Sequence, residues 1–474
     1  MSKIIGRVKE LELLRSLLNS DKSEFIALYG RRRVGKTFLI REAYEDVITF
    51  QVTGLANSTS THQLANFYLA MLKFDVSYSA QAPTNWLLAF HQLSLLLEKS
   101  KAPKKIVFID ELPWFDSPNS GFIQALEHFW NSWASARKDV LLIVCGSAAS
   151  WMIKKLLNNH GGLHNRVTLR LKINPFTLYE CQLFMQAKHA NWGFYQIAEL
   201  YMVLGGIPFY WEQVQVNKSP AQNVDRICFS EDGALRTEFS NLFSSLFSQS
   251  ERHVKIVEAL ATKNKGLTRA EIIEESGLSN SGRMTELLSE LEESGFIRKY
   301  PSFEKKIRNS LYQLVDFYTL FYIKFIRDTL VFDENNWSGA VDHPQHRAWS
   351  GYAFELLCLA HLPQIRKALQ IAGIQTASSS WQSRRSDEGA QIDLVIDRRD
   401  QIINLCEMKF SINSFTIDKN YALELRNKME VFRTETKTRK ALFLTLITTF
   451  GLKHNSHSLG LVQNELTLED LFIE

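Results

Sequence analysis

Eight residues near the N-terminus have the spacing of a phosphate-binding loop. They run from Gly30 to Thr37 and read Gly-Arg-Arg-Arg-Val-Gly-Lys-Thr, which matches G-x-x-x-x-G-K-[ST]. The apolar run 25–29 before the loop predicts a strand, and residues 38–44 after it predict a helix. In that setting backbone N–H groups and the helix N-terminus bind phosphates, with Lys36 on the terminal phosphates and the Thr37 hydroxyl on Mg²⁺. The sequence therefore predicts that the chain binds ATP or GTP.

The residues expected to line this nucleotide site follow one another along the chain. They are Gly30, Arg31, Arg32, Arg33, Val34, Gly35, Lys36, Thr37 and Phe38. The three arginines could support phosphate binding, and we expect at least two of them to face solvent.

A second motif, residues 106–111, is an apolar run that ends in two carboxylates. Such a run predicts a buried parallel strand. Asp110, at the carboxyl end of the strand, would hold Mg²⁺ through water. Glu111 would be the general base that polarises the attacking water. Because the pair follows a phosphate loop, it favours nucleotide hydrolysis over a solvated strand end.

Two further residues could act at the nucleotide. Ser147 ends the apolar run 140–146, where it could sense the γ-phosphate or simply be a small residue at the strand exit. Arg166 could stabilise transition-state charge, in cis or across a subunit boundary. It could equally be a surface ion-pair partner.

Four residues near the C-terminus suggest a second chemistry. Glu355 lies in an otherwise apolar helical run, Asp393 in a strand pattern, and Glu407 and Lys409 share one face of the next strand. The three carboxylates could share one Mg²⁺ or Mn²⁺, since hard oxygen ligands suit such ions. Lys409 could position or deprotonate water, or neutralise developing charge. The structural alternative is an exposed cross-strand charge pattern, but burying an unpaired carboxylate among apolar neighbours is costly.

The elements that position these residues begin with five predicted strands: 25–29, 48–53, 106–110, 140–146 and 167–173. They alternate with helical stretches, which predicts an α/β fold with a doubly wound sheet and its ligand at the strands' carboxyl ends. Residues 175–250 are helical and rich in aromatic residues, which at this spacing more often form a core than a base-stacking platform.

The next segment, 251–310, predicts a winged helix-turn-helix. Residues 253–261 form an amphipathic helix, Thr268 and Glu271 a capping box, and 282–294 a third helix. The third helix would carry Asn280, Arg283 and Thr285 near its start, although its second half is acidic. A basic hairpin follows, with Arg298, Lys299, Lys305, Lys306 and Arg308. Such a module can bind DNA or protein.

Composition sets wider bounds. The chain has 474 residues, 45% hydrophobic and 22% charged, with a formal charge of +4. These values predict about three domains in a globular protein, and any DNA-binding surface must be a local patch. Five scattered cysteines without metal-ligand spacing predict reduced thiols in a cytoplasmic protein. The N-terminus has no signal-peptide pattern, and no apolar stretch predicts a membrane span.

The first half of the chain resembles archaeal-type ATPases of the AAA+/signal-transduction ATPase group. The resemblance rests on the phosphate loop and on five further motifs: 5–11, 108–114, 145–152, 174–176 and 205–208. It implies that the bound base is adenine. It also implies that Arg7 and Pro208 frame the base and ribose, with Pro208 in a helical lid over the nucleotide.

The last 120 or so residues resemble the PD-(D/E)xK restriction-endonuclease-like nucleases, in the order helical Glu355, Asp393, then Glu407-x-Lys409. One departure is that Ile392 stands where the motif's name has proline. The segment 381–389 could meet phosphate or be a solvated loop. Archaeal-type ATPases often carry such a C-terminal domain.

Together these patterns predict five segments: a P-loop ATPase domain (1–174), a helical lid (175–250), a winged helix-turn-helix (251–310), a linker (311–348) and a nuclease-like domain (349–474). The predicted function is ATP hydrolysis coupled to DNA binding and metal-dependent phosphodiester cleavage. Alternatives are a regulatory ATPase whose C-terminal domain binds DNA or protein without cutting, and a signalling switch without DNA contact. Arg166 acting across a subunit boundary would require a homo-oligomer.

Overall fold

The computed structural model describes residues 4–75, 81–158, 161–301, 303, 310–329, 335–340, 343–383 and 390–474. The chain divides into two compact units, the first ending at Pro175 and the second beginning at Phe176. None of the helices in these ranges combines the length and apolar character that crossing a membrane requires.

The first unit is built on a parallel sheet with the order β2-β3-β4-β1-β5. Its strands are β1 (Glu24–Tyr29), β2 (Ile48–Thr53), β3 (Lys105–Asp110), β4 (Val140–Gly146) and β5 (Leu169–Lys172). Of the three inner strands, β3 and β4 are buried along their whole length, and β1 is buried except at Tyr29. Helices cover both faces of such a sheet, which explains why their sequences are continuous apolar runs. The predicted α/β parallel sheet is confirmed.

The helices of this unit are α1 (Val8–Ser16), α2 (Lys36–Tyr44), α3 (Ser60–Phe74), α4 (Trp86–Lys99), α5 (Phe122–Ser132) and the single turn α6 (Ala149–Trp151). Side-chain caps begin two of them: Thr59 accepts from the backbone of His62, and Asn85 from that of Leu88. An aromatic cluster around Trp86, whose ring centroid lies 4.8 Å from that of Phe122, packs α4 against α5.

The second unit begins with five helices: α7 (Leu178–Ala187), α8 (Phe194–Leu204), α9 (Pro208–Glu212), α10 (Pro220–Val224) and α11 (Glu238–Leu246). Thr177 and Glu180 form a capping box at the start of α7. Tyr201, Tyr210 and Trp211 are buried, so these aromatic residues belong to the core, as their helical spacing predicts.

Three helices and a small antiparallel sheet follow. They are α12 (Ser250–Ala261), β6 (Leu267–Thr268), α13 (Arg269–Ser276), α14 (Gly282–Glu293), β7 (Ile297–Tyr300) and β8 (Leu311–Leu314), with the sheet order β6-β8-β7. The capping box of Thr268 and Glu271 is present as predicted.

The prediction of a linker over 311–348 is wrong for its first part. Strand β8 completes the small sheet, and α15 (Phe317–Phe321) is buried in the second unit. Phe317 packs on Tyr201 with a centroid distance of 5.4 Å, and Phe321 packs on Phe229 at 6.1 Å. The aromatic residues of this segment are therefore core residues that join α15 to the preceding helices.

The rest of the second unit is a mixed sheet with the order β13-β12-β11-β10-β9. Its elements are α16 (Pro344–Ala360), α17 (Leu362–Ala368), β9 (Thr376–Gln382), β10 (Gln391–Arg398), β11 (Ile402–Lys409), α18 (Lys419–Thr436), β12 (Ala441–Thr448) and β13 (Asn464–Thr467). Strands β9, β10 and β11 are antiparallel neighbours, whereas β11, β12 and β13 run parallel. Helix α18 makes the crossover between the parallel strands β11 and β12.

Candidate functional site

The phosphate loop joins β1 to α2, as its sequence predicts. Gly30 has φ 146°, and a Cβ there would lie 2.3 Å from the carbonyl oxygen of Ile173. Gly35 has φ 87° immediately before α2. Both positions therefore require glycine, the first for space as well as backbone conformation.

Lys36 is buried at the start of α2 and is held by three oxygen acceptors. Its ammonium group donates to the carbonyls of Gly30 (3.1 Å) and Arg31 (3.0 Å) and to Oγ of Ser147 (3.0 Å). Lys36 thus spans the loop and the end of β4, which is where a terminal phosphate would accept from it.

The carboxyl edge of the sheet brings the other predicted residues together. Thr37 Oγ1 donates to Asp110 Oδ2 at 2.8 Å. Glu111 accepts from the backbone N–H of Ser147 at 3.1 Å and from its hydroxyl at 2.6 Å. The hydroxyl and carboxylate oxygens of Thr37 and Asp110 are the donors that Mg²⁺ prefers, so this pair fits the ion.

Arg7 is buried and has a left-handed backbone with φ 57°. Its guanidinium donates to the carbonyls of Val34 (3.5 Å) and Asn174, which ties the phosphate loop to the chain that follows β5. These two hydrogen bonds hold the phosphate loop in place. The predicted role of Arg7 at the adenine base of the nucleotide stays a prediction.

The three loop arginines differ in how much of each side chain reaches solvent. Arg31 is buried, and Arg32 and Arg33 are each only partly accessible. Phe38 is the exposed member of the predicted set, with 46% of its surface accessible on the first turn of α2.

Arg166 does not lie where a role in cis requires. It is exposed in a turn before β5, and the next residues pair with the beginning of β1: the N–H of Thr168 donates to the carbonyl of Phe25. The phosphate loop leaves the opposite, carboxyl end of β1. This corrects the cis interpretation and leaves the role across a subunit boundary as a prediction.

Pro208 is the first residue of α9 in the second unit, where its fixed φ suits a helix start. Its role over the nucleotide stays a prediction.

The four C-terminal residues lie on the predicted elements. Glu355 is on α16, Asp393 on β10, and Glu407 and Lys409 on β11. Leu394 pairs with Cys406, so that Asp393 and Glu407 are the next positions along two antiparallel neighbours. The pairing of β10 with β9 is irregular between Ile392 and Val395, an irregularity that can re-aim a side chain.

Burial raises the pKa values of all three carboxylates. Burial and the nearby charge of Asp393 raise the pKa of Glu355 to about 8. Burial also raises the pKa values of Asp393 and Glu407, against the opposing effect of Lys428 and Lys409. Crowded carboxylates with elevated pKa values are typical of functional sites.

Two site residues were missed by sequence reasoning. Lys428 Nζ lies 3.1 Å from both carboxylate oxygens of Glu407, and the Tyr421 hydroxyl lies 3.3 Å from one of them. Lys409 sits over the Tyr421 ring at 5.0 Å. The available signal was helical spacing, since Tyr421, Glu424 and Lys428 recur on one face of α18.

The carboxylate oxygens of this cluster are ligands that suit a hard cation, but they are not arranged as a metal site in this structure. Across the described ranges, no group of three or more His, Cys, Asp or Glu is arranged to hold a metal ion. Glu407 is instead neutralised by Lys428. Metal binding here would therefore require Glu407 to exchange its lysine partner for the ion.

The residues predicted to read DNA are engaged in internal contacts. Arg269 donates to Asn280 and Thr285, at the start of α14, and Arg283 is ion-paired with Glu286 at 2.7 Å. Lys305, Lys306 and Arg308 lie outside the described residues, as do positions 384–389 of the predicted segment 381–389. The start of that segment is not a loop, since Trp381 is buried and lies on β9.

The parallel sheet, the phosphate loop and the carboxylates at its edge define a P-loop nucleotide-binding domain. Residues 4–214 match the family described as an ATPase domain predominantly from Archaea. The chain therefore carries an archaeal-type ATPase domain, and ATP is its nucleotide.

Two proteins of Methanocaldococcus jannaschii are similar in sequence. An uncharacterized protein is 27% identical over 395 residues, which cover 82% of this chain and 83% of that protein. An uncharacterized ATP-binding protein is 50% identical over 42 residues, which cover 9% of this chain and 71% of that protein. Among solved structures, a Walker-type ATPase of Pyrococcus abyssi aligns with a TM-score of 0.48 and 18% identity, over 68% of this chain and 96% of its own.

Proposed function

We propose that this protein couples ATP hydrolysis in its first unit to DNA binding and metal-dependent phosphodiester cleavage in its second. The observation that carries the proposal is the C-terminal cluster of Glu355, Asp393 and Glu407. These carboxylates come from three different elements, and all three have raised pKa values beside the positive charge of Lys409. In this proposal the ATPase domain hydrolyses ATP, and the C-terminal cluster cleaves the phosphodiester.

In the nucleotide site, Lys36 would bind the terminal phosphates while Thr37 and Asp110 hold Mg²⁺. The ion supplies positive charge that offsets the charge of the phosphates. Glu111 would accept a proton from the attacking water. Glu111 accepts one hydrogen bond from the Ser147 hydroxyl and one from the Ser147 backbone N–H. If the hydroxyl turned toward the γ-phosphate, it would free one carboxylate oxygen for the attacking water, while the backbone N–H would still hold the other.

In the C-terminal site, the three carboxylates would hold Mg²⁺ or Mn²⁺, which supplies Lewis acidity at a phosphodiester. Lys409 would position the attacking water or stabilise the charge that develops on phosphorus oxygens. The short Glu407–Lys428 pair keeps the buried carboxylate neutralised without metal.

The three helices and small sheet of residues 250–314 support DNA binding, since they follow one another in the order of a winged helix-turn-helix. The basic residues Arg298 and Lys299 lie on β7 of that sheet. Oligomerisation would let Arg166 reach a neighbouring subunit's nucleotide.

The test is cleavage of duplex DNA with Mg²⁺ or Mn²⁺ by Asp393→Ala. We expect loss of cleavage with ATP hydrolysis unchanged, because the substituted carboxylate lies in the second unit. Asp397→Ala is the matched control, since Asp397 lies on the same strand but pairs with Lys440 at 2.5 Å. Cleavage that survives in Asp393→Ala would reject the site.

The second candidate is a regulatory ATPase whose C-terminal domain binds DNA or protein without cutting. The pairing of Glu407 with Lys428 favours it. Calorimetry with Mn²⁺ separates the two functions: the nuclease predicts binding that is lost in Glu407→Ala. The regulatory ATPase predicts the same Mn²⁺ binding by the wild type and by Glu407→Ala, since only the nucleotide site with Thr37 and Asp110 would then take up the ion.

A further inference from the structure

The small sheet of β6, β7 and β8 is docked on the C-terminal sheet. The backbone N–H of Phe303, just beyond β7, donates to the carbonyl of Ser380 on β9 at 2.9 Å. The Phe303 ring packs on Phe432 of α18 with a centroid distance of 5.1 Å, beside the core that includes Trp381. Backbone and ring contacts thus join the two sheets.

A loop between α12 and β6 is fixed by this arrangement. The Gln313 amide donates to the carbonyl of Asn264 at 2.7 Å, and the Tyr300 hydroxyl donates to the carbonyl of Lys265. A Cβ on Gly266, which has φ 83°, would lie 2.3 Å from the carbonyl oxygen of Tyr312. The backbone at Lys265 is therefore anchored on both sides, although its side chain is exposed.

Lys265 lies near the carboxylate cluster. Its charge lowers the pKa values of both Glu355 and Asp393, although Lys265 lies 90 positions before the first and 128 before the second in the chain. Among the residues that the structure describes, the Lys265 ammonium group has no hydrogen-bond or ion-pair partner. In contrast, Lys428 is committed to Glu407 and Glu424.

We propose that Lys265 contacts a backbone phosphate of DNA bound at the C-terminal carboxylates, so that the small sheet and the C-terminal sheet form one binding site. The inference rests on the proposed nuclease function, because it assigns the same substrate. The negative carboxylates repel the phosphates of DNA. An exposed lysine on an anchored loop beside them would attract a phosphate and offset part of that repulsion.

The test is binding of a labelled DNA duplex to the full chain, measured by fluorescence anisotropy over a range of salt concentrations, with Ca²⁺ present to prevent cleavage. Lys265→Gln should weaken binding about 3- to 10-fold and reduce the slope of log K against log salt by about one. Lys263→Gln is the matched control, since Lys263 lies two residues away and is paired with Glu271 at 3.1 Å.

Equal affinity and slope for the two variants would overturn the proposal, and tighter binding by Lys265→Gln would show that the lysine shields the site instead. A failure of the proposed nuclease function can be distinguished from a failure of the Lys265 contact. If the wild type binds DNA but Asp393→Ala still cuts, the metal site is wrong and the Lys265 contact stands. A wild type that binds no DNA rejects both.

Discussion

At the scale of single residues, the nucleotide site is held by a network that centres on Ser147. Its hydroxyl accepts from Lys36 and donates to Glu111, the two groups that we propose act on the γ-phosphate and on the attacking water. Sequence reasoning placed Ser147 equally as a phosphate sensor or as a small residue at a strand exit. The two hydrogen bonds favour a functional role, because a spacer residue would need neither.

Glu111→Gln should separate ATP binding from hydrolysis. The amide cannot accept the proton of the attacking water, so turnover should fall by at least about 100-fold. The affinity for ATP should stay within about threefold, because the phosphates would contact Lys36 and the loop backbone rather than Glu111. Calorimetry and phosphate release measure the two quantities, with Lys36→Ala as the variant that loses binding. Wild-type turnover in Glu111→Gln would remove Glu111 as the base.

At the scale of elements, helix ends in the second unit are joined by a buried histidine. His361 follows α16, donates from Nδ1 to the carbonyl of Leu357 (2.8 Å) and accepts at Nε2 from the N–H of Leu178 (3.0 Å). Burial lowers the pKa of His361 to about 4. The neutral ring thus links α7 to α16, a contact that sequence patterns cannot reveal because the partners are 183 positions apart.

Acid should weaken this link. The pKa of His361 is about 6.5 in the unfolded chain and about 4 in the folded protein, so the unfolded chain takes up the proton first as pH falls. The free energy of unfolding should therefore fall as pH drops from 6.5 to 4, by about 3 kcal/mol from this group. Urea unfolding should show a smaller decrease for His361→Gln. His454→Gln is the control, since His454 is 64% exposed, and it should retain the wild-type pH dependence. An unchanged profile in His361→Gln would contradict the assignment.

At the scale of the whole molecule, sequence reasoning succeeded where local pattern determines structure. The parallel strands were predictable because strands buried on both faces are continuous apolar runs. The region 311–329 was misread because its aromatic residues are buried by helices distant in sequence, such as Tyr201 against Phe317. Lys265 was missed for the same reason, since only the fold brings the loop before β6 to the carboxylates. For Lys428, helical spacing indicates the face of α18 that it shares with Tyr421, but not that this face packs on Glu407.

The central claim is that ATP hydrolysis in the first unit controls DNA cleavage in the second. The most direct measurement is cleavage of supercoiled and linear DNA with Mn²⁺, with and without ATP, by the wild type and by Glu111→Gln. We expect the wild type to cut only with ATP, and Glu111→Gln, which binds ATP without turnover, to cut far more slowly. Equal cutting by both proteins, or cutting without ATP, would contradict the coupling, and no cutting by either would leave the regulatory ATPase as the function.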